Sequence, residues 1–146
     1  MYEAFRKLLF RIDPERAHDA AFLSARLAQS MMSPLFAARF RHESPRLKQT
    51  LWGLEFGTPI GLAAGFDKNA ELVEFWRALG FGFAEVGSVT AKASQGNPKP
   101  RAFRLADDRA LINRMGLNNK GAEAVAERLA MTSQHQDFPV GINIAK

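Results

Sequence analysis

Three short apolar segments that alternate with two helical segments constrain the fold of this chain most strongly. The apolar segments are residues 60–65, 83–89 and 140–144, and the helical ones are residues 71–79 and 122–131. Short continuous apolar runs are typical of strands buried on both faces, and parallel strands need a long crossover, usually a helix, between them. The alternation therefore predicts an α/β fold in which β/α units repeat along a parallel sheet.

The chain before these units reads as two helices. Residues 2–12 carry apolar side chains at helical spacing, with Arg and Lys side chains filling the other side. Asp13, Pro14 and Glu15 then mark a helix start, because Asp suits the N-cap, Pro the first helical position and Glu the first turn. We expect this second helix to end at Ser33-Pro34.

The sequence pattern changes near residue 40, from helical periodicity to shorter apolar runs separated by Gly and Pro, and this change predicts a domain boundary. Residues 35–45 are basic and are expected to link a helical part, residues 1–40, to the β/α part, residues 41–146. Residues 47–56, interrupted by Gly53, are typical of a small hairpin or two short strands.

Composition narrows the class of protein. The 146 residues are 47% hydrophobic and 24% charged, which is the profile of a soluble globular domain, and with no cysteine a disulfide or a thiolate site is excluded. No apolar run approaches the roughly 18 residues of a spanning helix and no signal peptide is visible, so we expect a cytoplasmic protein. A net charge of +5 indicates an anionic partner: nucleic acid, an anionic lipid surface or a small acidic ligand. The basic residues are dispersed without a nucleic-acid motif, and no metal-ligand spacing occurs, so neither nucleic acid nor metal is predicted.

Polar residues follow the first two predicted strands. Lys68 comes directly after residues 60–65, and a Lys at a strand end can donate to an anionic substrate or a reduced cofactor. Its neighbours Asp67 and Asn69 are equally well explained as caps of the next helix. Ser88, near the end of the second strand, can supply a hydroxyl to a ligand, although an ordinary buried strand explains it better.

The long insertion between the second strand and its helix, residues 91–119, is the third candidate for a part of the functional site. Asn113, Arg114, Asn118 and Asn119 surround a Gly after a β-like stretch, and such amide clusters read planar heterocycles with several carbonyl and N–H groups. A turn-rich solvated loop is the alternative. Asn143 stands inside the third apolar run, where its polar side chain needs a partner.

Together these segments resemble the quinone-dependent, membrane-associated class of dihydroorotate dehydrogenase. The resemblance rests on long motifs in register: DPERAH at 13–18, GLAAGFDKNAE at 61–71, GFGFAEVGSVT at 80–90, GNPKPRAFRL at 96–105, INRMGLNN at 112–119 and GINIAK at 141–146. It implies a (β/α)8 TIM barrel that holds FMN, preceded by a small helical domain that forms a hydrophobic entrance for the quinone. The implied activity is oxidation of dihydroorotate to orotate in UMP biosynthesis, with ubiquinone or menaquinone as the electron acceptor.

The resemblance also implies roles for individual residues. FMN contacts fall on Ala64, Gly65, Phe66, Asp67, Lys68, Ser88 and Asn143. Contacts to dihydroorotate or orotate fall on Lys68, Asn113, Arg114, Met115, Gly116 and Leu117. The residues similar to those lining the quinone passage are His18 and Arg104.

Two positions depart from the family pattern, and they lie close to these contacts. Leu117 stands where the family commonly has Phe, and Ala145 replaces the Gly usual after the Asn of the third strand. The first helix is expected to rest on the membrane, which makes the protein peripheral on the cytoplasmic side of the cell membrane.

Only three strands of an eight-stranded barrel, which needs about 250 residues, can be counted here. We therefore expect residues 41–146 to be the first part of a longer enzyme, with the Ser base of the family beyond Lys146 and no catalytic base within this chain. Such a piece alone is expected neither to bind FMN tightly nor to turn over. Two other functions stay open at this point: another FMN-dependent barrel oxidoreductase, and a basic amphipathic membrane-binding module without catalysis.

Overall fold

The computed structural model describes Arg6, residues 9–132 and residues 137–146, apart from the side chains of Met32 and Ser33. Most of the predicted first helix, residues 2–12, lies outside the described residues. None of the helices in the described part of the chain is long and apolar enough to cross a membrane.

The first long helix, α1, spans Pro14–Phe40. It begins as predicted: the Asp13 carboxylate accepts from the backbone N–H groups of Glu15 and Arg16, both at 3.0 Å, and Pro14 occupies the first turn. Its predicted end at Ser33-Pro34 is wrong, because the helix continues through Pro34.

Packing explains why the last turns of α1 survive an internal proline. The Phe36 ring lies 5.7 Å from that of Phe75, on the helix that α1 packs against, and 6.0 Å from that of Phe40. A proline costs the helix one hydrogen bond and some steric strain, about 3 kcal/mol, and the contact between the half-buried rings of Phe36 and Phe75 offsets part of that cost. The predicted basic linker is therefore helical over residues 35–40.

A parallel sheet of three strands forms the centre of the β/α part. Its strands are β3 (Gly61–Leu62), β4 (Phe83–Val89) and β7 (Val140–Ile144), which lie side by side in the order β3-β4-β7. The helices α2 (Val73–Ala78) and α3 (Ala122–Met131) lie in the connections between them. The predicted bounds of β4, α3 and β7 are confirmed, and the chain is α/β as expected. The predicted strand over residues 60–65 shrinks to the two residues that pair with β4.

Two antiparallel hairpins flank the sheet. The first pairs β1 (Gln49–Leu51) with β2 (Leu54–Phe56), as predicted, around a turn in which Trp52 and Gly53 both have positive φ. The second pairs β5 (Ala102–Leu105) with β6 (Ala110–Asn113) inside the insertion. Sequence patterning indicated only one β-like stretch there.

The core lies between the sheet and α2 and α3. Leu72 and Val86 are fully buried, and Trp76 and Val125 nearly so. Phe22 of α1 packs against this cluster, so the long helix shares the core of the β/α part.

Candidate functional site

A cavity of about 550 Å³ opens at the carboxyl ends of β3 and β4. It lies between the first turns of α1, the loop after β3 and the β5–β6 hairpin, a position that ligands favour in parallel α/β folds. Its lining residues are Pro14, Glu15, His18, Gly65, Phe66, Lys68, Ser88, Ala102, Arg104, Leu111, Asn113, Met115, Gly116 and Leu117. The structure thus brings together most of the residues predicted to contact cofactor, substrate and quinone.

The loop after β3 is fixed by backbone bonds to β4. The Gly65 N–H donates to the Gly87 carbonyl at 2.8 Å, and the Gly87 N–H donates to the Asp67 carbonyl at 3.3 Å. Gly65 has φ +103°, and a Cβ there would meet no protein atom within 4 Å. The backbone at Gly65 is therefore open to a ligand in the cavity.

The Asp67 side chain is used inside the protein and does not line the cavity. It is fully buried and accepts from the backbone N–H groups of Glu71 and Leu72, both at 2.8 Å, and from the Trp76 indole at 3.1 Å. Its neighbour Asn69 likewise accepts from the Lys120 N–H at 2.9 Å. Both side chains therefore hold backbone segments, Asp67 the residues just before α2 and Asn69 a residue just before α3, and neither forms a side-chain cap of α2 as the capping alternative expected.

Lys68 contributes a cation to the cavity. Within the described residues, no hydrogen bond or ion pair engages its ammonium group. Burial lowers the pKa of Lys68 below its usual value of 10.5, and the nearby Arg101 lowers it further, while carboxylates such as Glu15 act in the opposite direction. A partly buried, unpaired ammonium group is suited to bind an anion.

Ser88 and Asn143 lie side by side on β4 and β7. The Ser88 hydroxyl donates to Oδ1 of Asn143, and Nδ2 of Asn143 donates to Oε1 of Glu85 at 2.9 Å. Asn143 thus has the partners that its place in an apolar strand requires. Only Ser88 of this pair lines the cavity.

The β5–β6 hairpin turns one face to the cavity. Directly opposed residues of antiparallel strands share a face, and the pairs Ala102 with Asn113 and Arg104 with Leu111 all line it. Arg114 does not: its side chain is exposed and donates to the Pro100 carbonyl at 3.0 Å. Ala64, at the other side, also lies outside the lining.

Met115, Gly116 and Leu117 continue from the hairpin along the cavity. Leu117 has φ +59°, an uncommon conformation for a branched side chain, and its side chain is 43% exposed. Asn119 closes the segment: it is buried, and its Oδ1 accepts from the N–H groups of Thr90 at 3.2 Å and Gly121 at 2.8 Å. Asn119 therefore holds the loop to the end of β4.

His18 and Arg104 lie at the α1 side of the cavity. The His18 ring lies 4.9 Å from that of Phe66 and stacks on Phe22 at 5.5 Å. Arg104 donates to the carbonyl of Ile12 at 2.5 Å and packs over the Phe10 ring at 4.9 Å. This end is lined by aromatic rings with a few polar groups.

Comparison with known proteins places this site in a family. The sequence model of the family described as dihydroorotate dehydrogenase matches residues 46–146. The chain belongs to the dihydroorotate dehydrogenase family.

Its relatives within that family are similar over the whole chain. Proteins named dihydroorotate dehydrogenase (quinone) from Gloeobacter violaceus and Mycolicibacterium vanbaalenii are 53% and 51% identical over 147 and 148 residues. These matches cover 100% of this chain, which spans about 41% of the length of either relative.

Solved structures of the family share the fold. DHODH from Eimeria tenella in complex with ferulenol has a TM-score of 0.64 and 43% identity over 82% of this chain and 35% of its own. The ligand-free structure from the same organism has a TM-score of 0.61 at 43% identity, over 80% of this chain and 36% of its own.

One feature of this site does not follow from the sequence patterns. Glu15, expected only to favour the helix start, is buried against Arg101 of the insertion, with 2.6 Å between Oε1 and Nη2. The hydrogen bond from Arg101 lowers the pKa of Glu15 below its usual value of 4.5, against the raising effect of burial, and Lys99 lowers it further. The sequence signal for this pair was that Glu15 and Arg101 belong to two motifs that both border the site.

Proposed function

We propose that this chain forms part of a quinone-dependent dihydroorotate dehydrogenase, which oxidises dihydroorotate to orotate in UMP biosynthesis with FMN as electron carrier. The observation that carries the proposal is the single cavity lined by His18, Lys68, Ser88, Arg104 and Asn113. The residues that the resemblance implies as contacts for cofactor, substrate and quinone thus line one cavity. The names of the relatives support the same activity.

The proposed architecture is a (β/α)8 barrel, of which residues 41–146 supply the first units, preceded by a helical domain over residues 1–40. The parallel order β3-β4-β7 with intervening helices supports the barrel. The long helix α1 supports the helical domain.

The residues present fit FMN. A cavity of about 550 Å³ is within the size range of cofactor sites, and the open backbone at Gly65 leaves room for a flat ring system. Gly65, Phe66, Lys68 and Ser88 would hold the cofactor. The chemistry that FMN supplies when bound is the passage of electrons from dihydroorotate to a quinone.

Binding of dihydroorotate is assigned to Lys68 and the segment that follows β6. The substrate carries a carboxylate, and the partly buried ammonium group of Lys68 supplies a charge-assisted donor. Asn113 adds an amide that can both donate and accept, while Met115 and Leu117 exclude water from that wall. The catalytic base is proposed to be a Ser outside residues 1–146, which receives the proton that leaves with the hydride.

The quinone, ubiquinone or menaquinone, is proposed to approach along the α1 side. His18 offers ring nitrogens and Arg104 a guanidinium group to carbonyl oxygens, beside the aromatic rings of Phe22 and Phe66. An apolar passage with few polar groups suits a lipid-soluble ring.

Peripheral membrane association on the cytoplasmic side is the remaining part of the proposal. Four apolar residues, one per turn of α1, are mostly exposed: Leu23 and Leu27 at 59%, Met31 at 80% and Leu35 at 61%. A long exposed apolar stripe of this kind on a helix suits insertion into the lipid interface. A quinone dissolved in the membrane would then lie near its proposed passage.

The experiment that tests the proposed function is anaerobic mixing of the purified enzyme with dihydroorotate. We expect a yellow protein whose flavin is bleached by dihydroorotate and regains colour on addition of a quinone. A flavin that dihydroorotate does not reduce would point to another FMN-dependent barrel oxidoreductase. A colourless protein that binds lipid vesicles would point to the membrane-binding module.

A further inference from the structure

A buried ion pair joins α1 to the insertion. Nη2 of Arg101 lies 2.6 Å from Oε1 of Glu15, and Nε of Arg101 lies 3.2 and 3.3 Å from the two carboxylate oxygens. The two residues are only 7% and 9% exposed although 86 positions separate them in the sequence. Contact in two places fixes the orientation of the guanidinium plane relative to the carboxylate.

The same guanidinium group also holds the opposite wall of the cavity. Nη1 of Arg101 donates to the carbonyls of Gln95 at 2.6 Å and Asn97 at 3.1 Å. Asn97 in turn donates its backbone N–H to the Met115 carbonyl at 3.0 Å, and its side-chain amide to the Arg114 carbonyl at 2.7 Å. Arg101 therefore connects the first turn of α1 to residues 113–117.

A gain in folding stability is a weak explanation for the buried ion pair of Glu15 and Arg101. A buried ion pair often adds little net stability, since the desolvation of both charges offsets their attraction. What the fork of Arg101 does provide is geometry, because its donors lie in one rigid plane and are used toward both walls at once.

We propose that Glu15 and Arg101 are positioning residues that couple the two walls of the cavity, so that an anion bound on the residue 113–117 side also orders α1. Neither residue is assigned to the chemistry of the reaction. The inference rests on the proposed function, because it takes orotate to be the anion and α1 to be the quinone side. Through this pair, binding of the anion at residues 113–117 would stabilise α1 as far as residues 20–27, which do not line the cavity.

Hydrogen–deuterium exchange of the flavin-loaded enzyme with and without orotate tests the coupling directly. Residues 20–27 of α1 do not line the cavity, so protection there reports on the helix and not on ligand contact. We expect orotate to slow exchange in residues 113–117 and in residues 20–27 of the unaltered enzyme. In Glu15→Gln the first effect should remain and the second should be lost.

Lys99→Gln is the matched control. Lys99 is also paired with Glu15, at 3.1 Å, but its side chain is 63% exposed and it has no part in the bonds to Gln95 and Asn97. We expect it to keep orotate-induced protection of residues 20–27. Equal behaviour of the two variants would refute the proposal.

Steady-state kinetics supply the second readout. We expect Glu15→Gln to raise KM for dihydroorotate roughly five- to tenfold with kcat changed less than about twofold. Arg101→Lys keeps the charge but loses the fork, and should likewise lose the orotate-induced protection of residues 20–27, which provides a second variant if the first does not fold.

The outcomes separate this inference from the proposed function. If orotate protects residues 113–117 of the unaltered enzyme but leaves residues 20–27 unchanged, the coupling is wrong and the proposed function stands. If orotate protects neither segment and dihydroorotate does not bleach the flavin, the proposed function fails and the coupling falls with it.

Discussion

The hydroxyl of Ser88 on β4 donates its proton to Oδ1 of Asn143 on the neighbouring strand β7. Asn143 is itself oriented by its bond to Glu85, at 2.9 Å. Because the single hydroxyl proton is used inside the sheet, Ser88 presents only lone pairs to the cavity. Ser88 should therefore accept a hydrogen bond from a ligand N–H.

Removing that acceptor is expected to weaken cofactor binding. Ser88→Ala should lower the affinity of the apoprotein for FMN about 2- to 10-fold, the value of one neutral hydrogen bond. The measurement is a titration that follows the fluorescence of free FMN. Thr132→Val is the control, because the Thr132 hydroxyl donates to the Arg128 carbonyl at 3.0 Å and lies outside the cavity lining. Identical losses in the two variants would contradict the assigned role of Ser88.

Lys68→Ala is expected to weaken orotate binding roughly 10- to 100-fold and to slow reduction of the flavin by dihydroorotate, since a charge-assisted contact is lost. Stopped-flow absorbance measures the reduction, and a spectral titration measures orotate affinity. Lys92→Ala, at an exposed lysine, is the control. An unchanged rate of flavin reduction in Lys68→Ala would remove Lys68 from the substrate site.

The pH dependence of orotate binding follows from the same side chain. Burial and Arg101 place the pKa of Lys68 below 10.5, and a bound anion favours its charged form. Affinity should thus be constant at neutral pH and fall as pH rises through this lowered pKa, earlier than for an ordinary lysine. The alkaline fall should be absent in Lys68→Ala. A fall that persists there would assign the titration to another group.

Stability should depend strongly on Asp67. Asp67→Ala leaves three donors, on Glu71, Leu72 and Trp76, without their acceptor, the last two of them buried, and should cost about 3 kcal/mol or more of the free energy of unfolding. Denaturant unfolding of the apoprotein, followed by Trp fluorescence, measures it. Asp107→Ala, in an exposed turn, is the control and should cost less than about 0.5 kcal/mol. A small cost for Asp67→Ala would show that water replaces the carboxylate.

Local sequence patterns predicted those helices and strands whose pattern agrees with how they pack in the structure. The bounds of β4 and β7 follow from apolar runs buried on both faces, and the start of α1 follows from the cap at Asp13. The end of α1 could not be predicted, because the turns after Pro34 are held by Phe75, which comes 41 positions later. Propensity describes a chain segment alone, whereas tertiary contacts decide such cases.

The candidate site, like the fold, has parts that sequence patterns predict and parts that depend on tertiary contacts. The motifs placed Lys68 and Ser88 at the ends of parallel strands, and parallel topology brings such ends together, so their convergence on one cavity was predictable. The place of Asn113 depends on the antiparallel hairpin of the insertion, which the sequence pattern did not predict. The pair of Glu15 and Arg101 was not, since no spacing rule joins a helix start to an insertion 86 positions away. The structure was also needed to show which neighbouring side chain faces the cavity, as Lys68 does, and which is buried against the backbone, as Asp67 is.

The exposed stripe of α1 yields a prediction on membrane binding. Replacing Leu27 and Met31 together by Asp should lower binding to vesicles of anionic phospholipid at least about 10-fold, because each buried methylene contributes about 0.8 kcal/mol and a carboxylate is repelled by the lipid headgroups. Vesicle sedimentation measures the binding. Ile112→Asp is the control, since Ile112 is also apolar and 54% exposed but lies on the β5–β6 hairpin. The double variant should reduce a membrane-embedded quinone more slowly while its flavin is reduced by dihydroorotate at the original rate. Vesicle binding that is undiminished in the double variant, or equally diminished in Ile112→Asp, would reject α1 as the membrane surface.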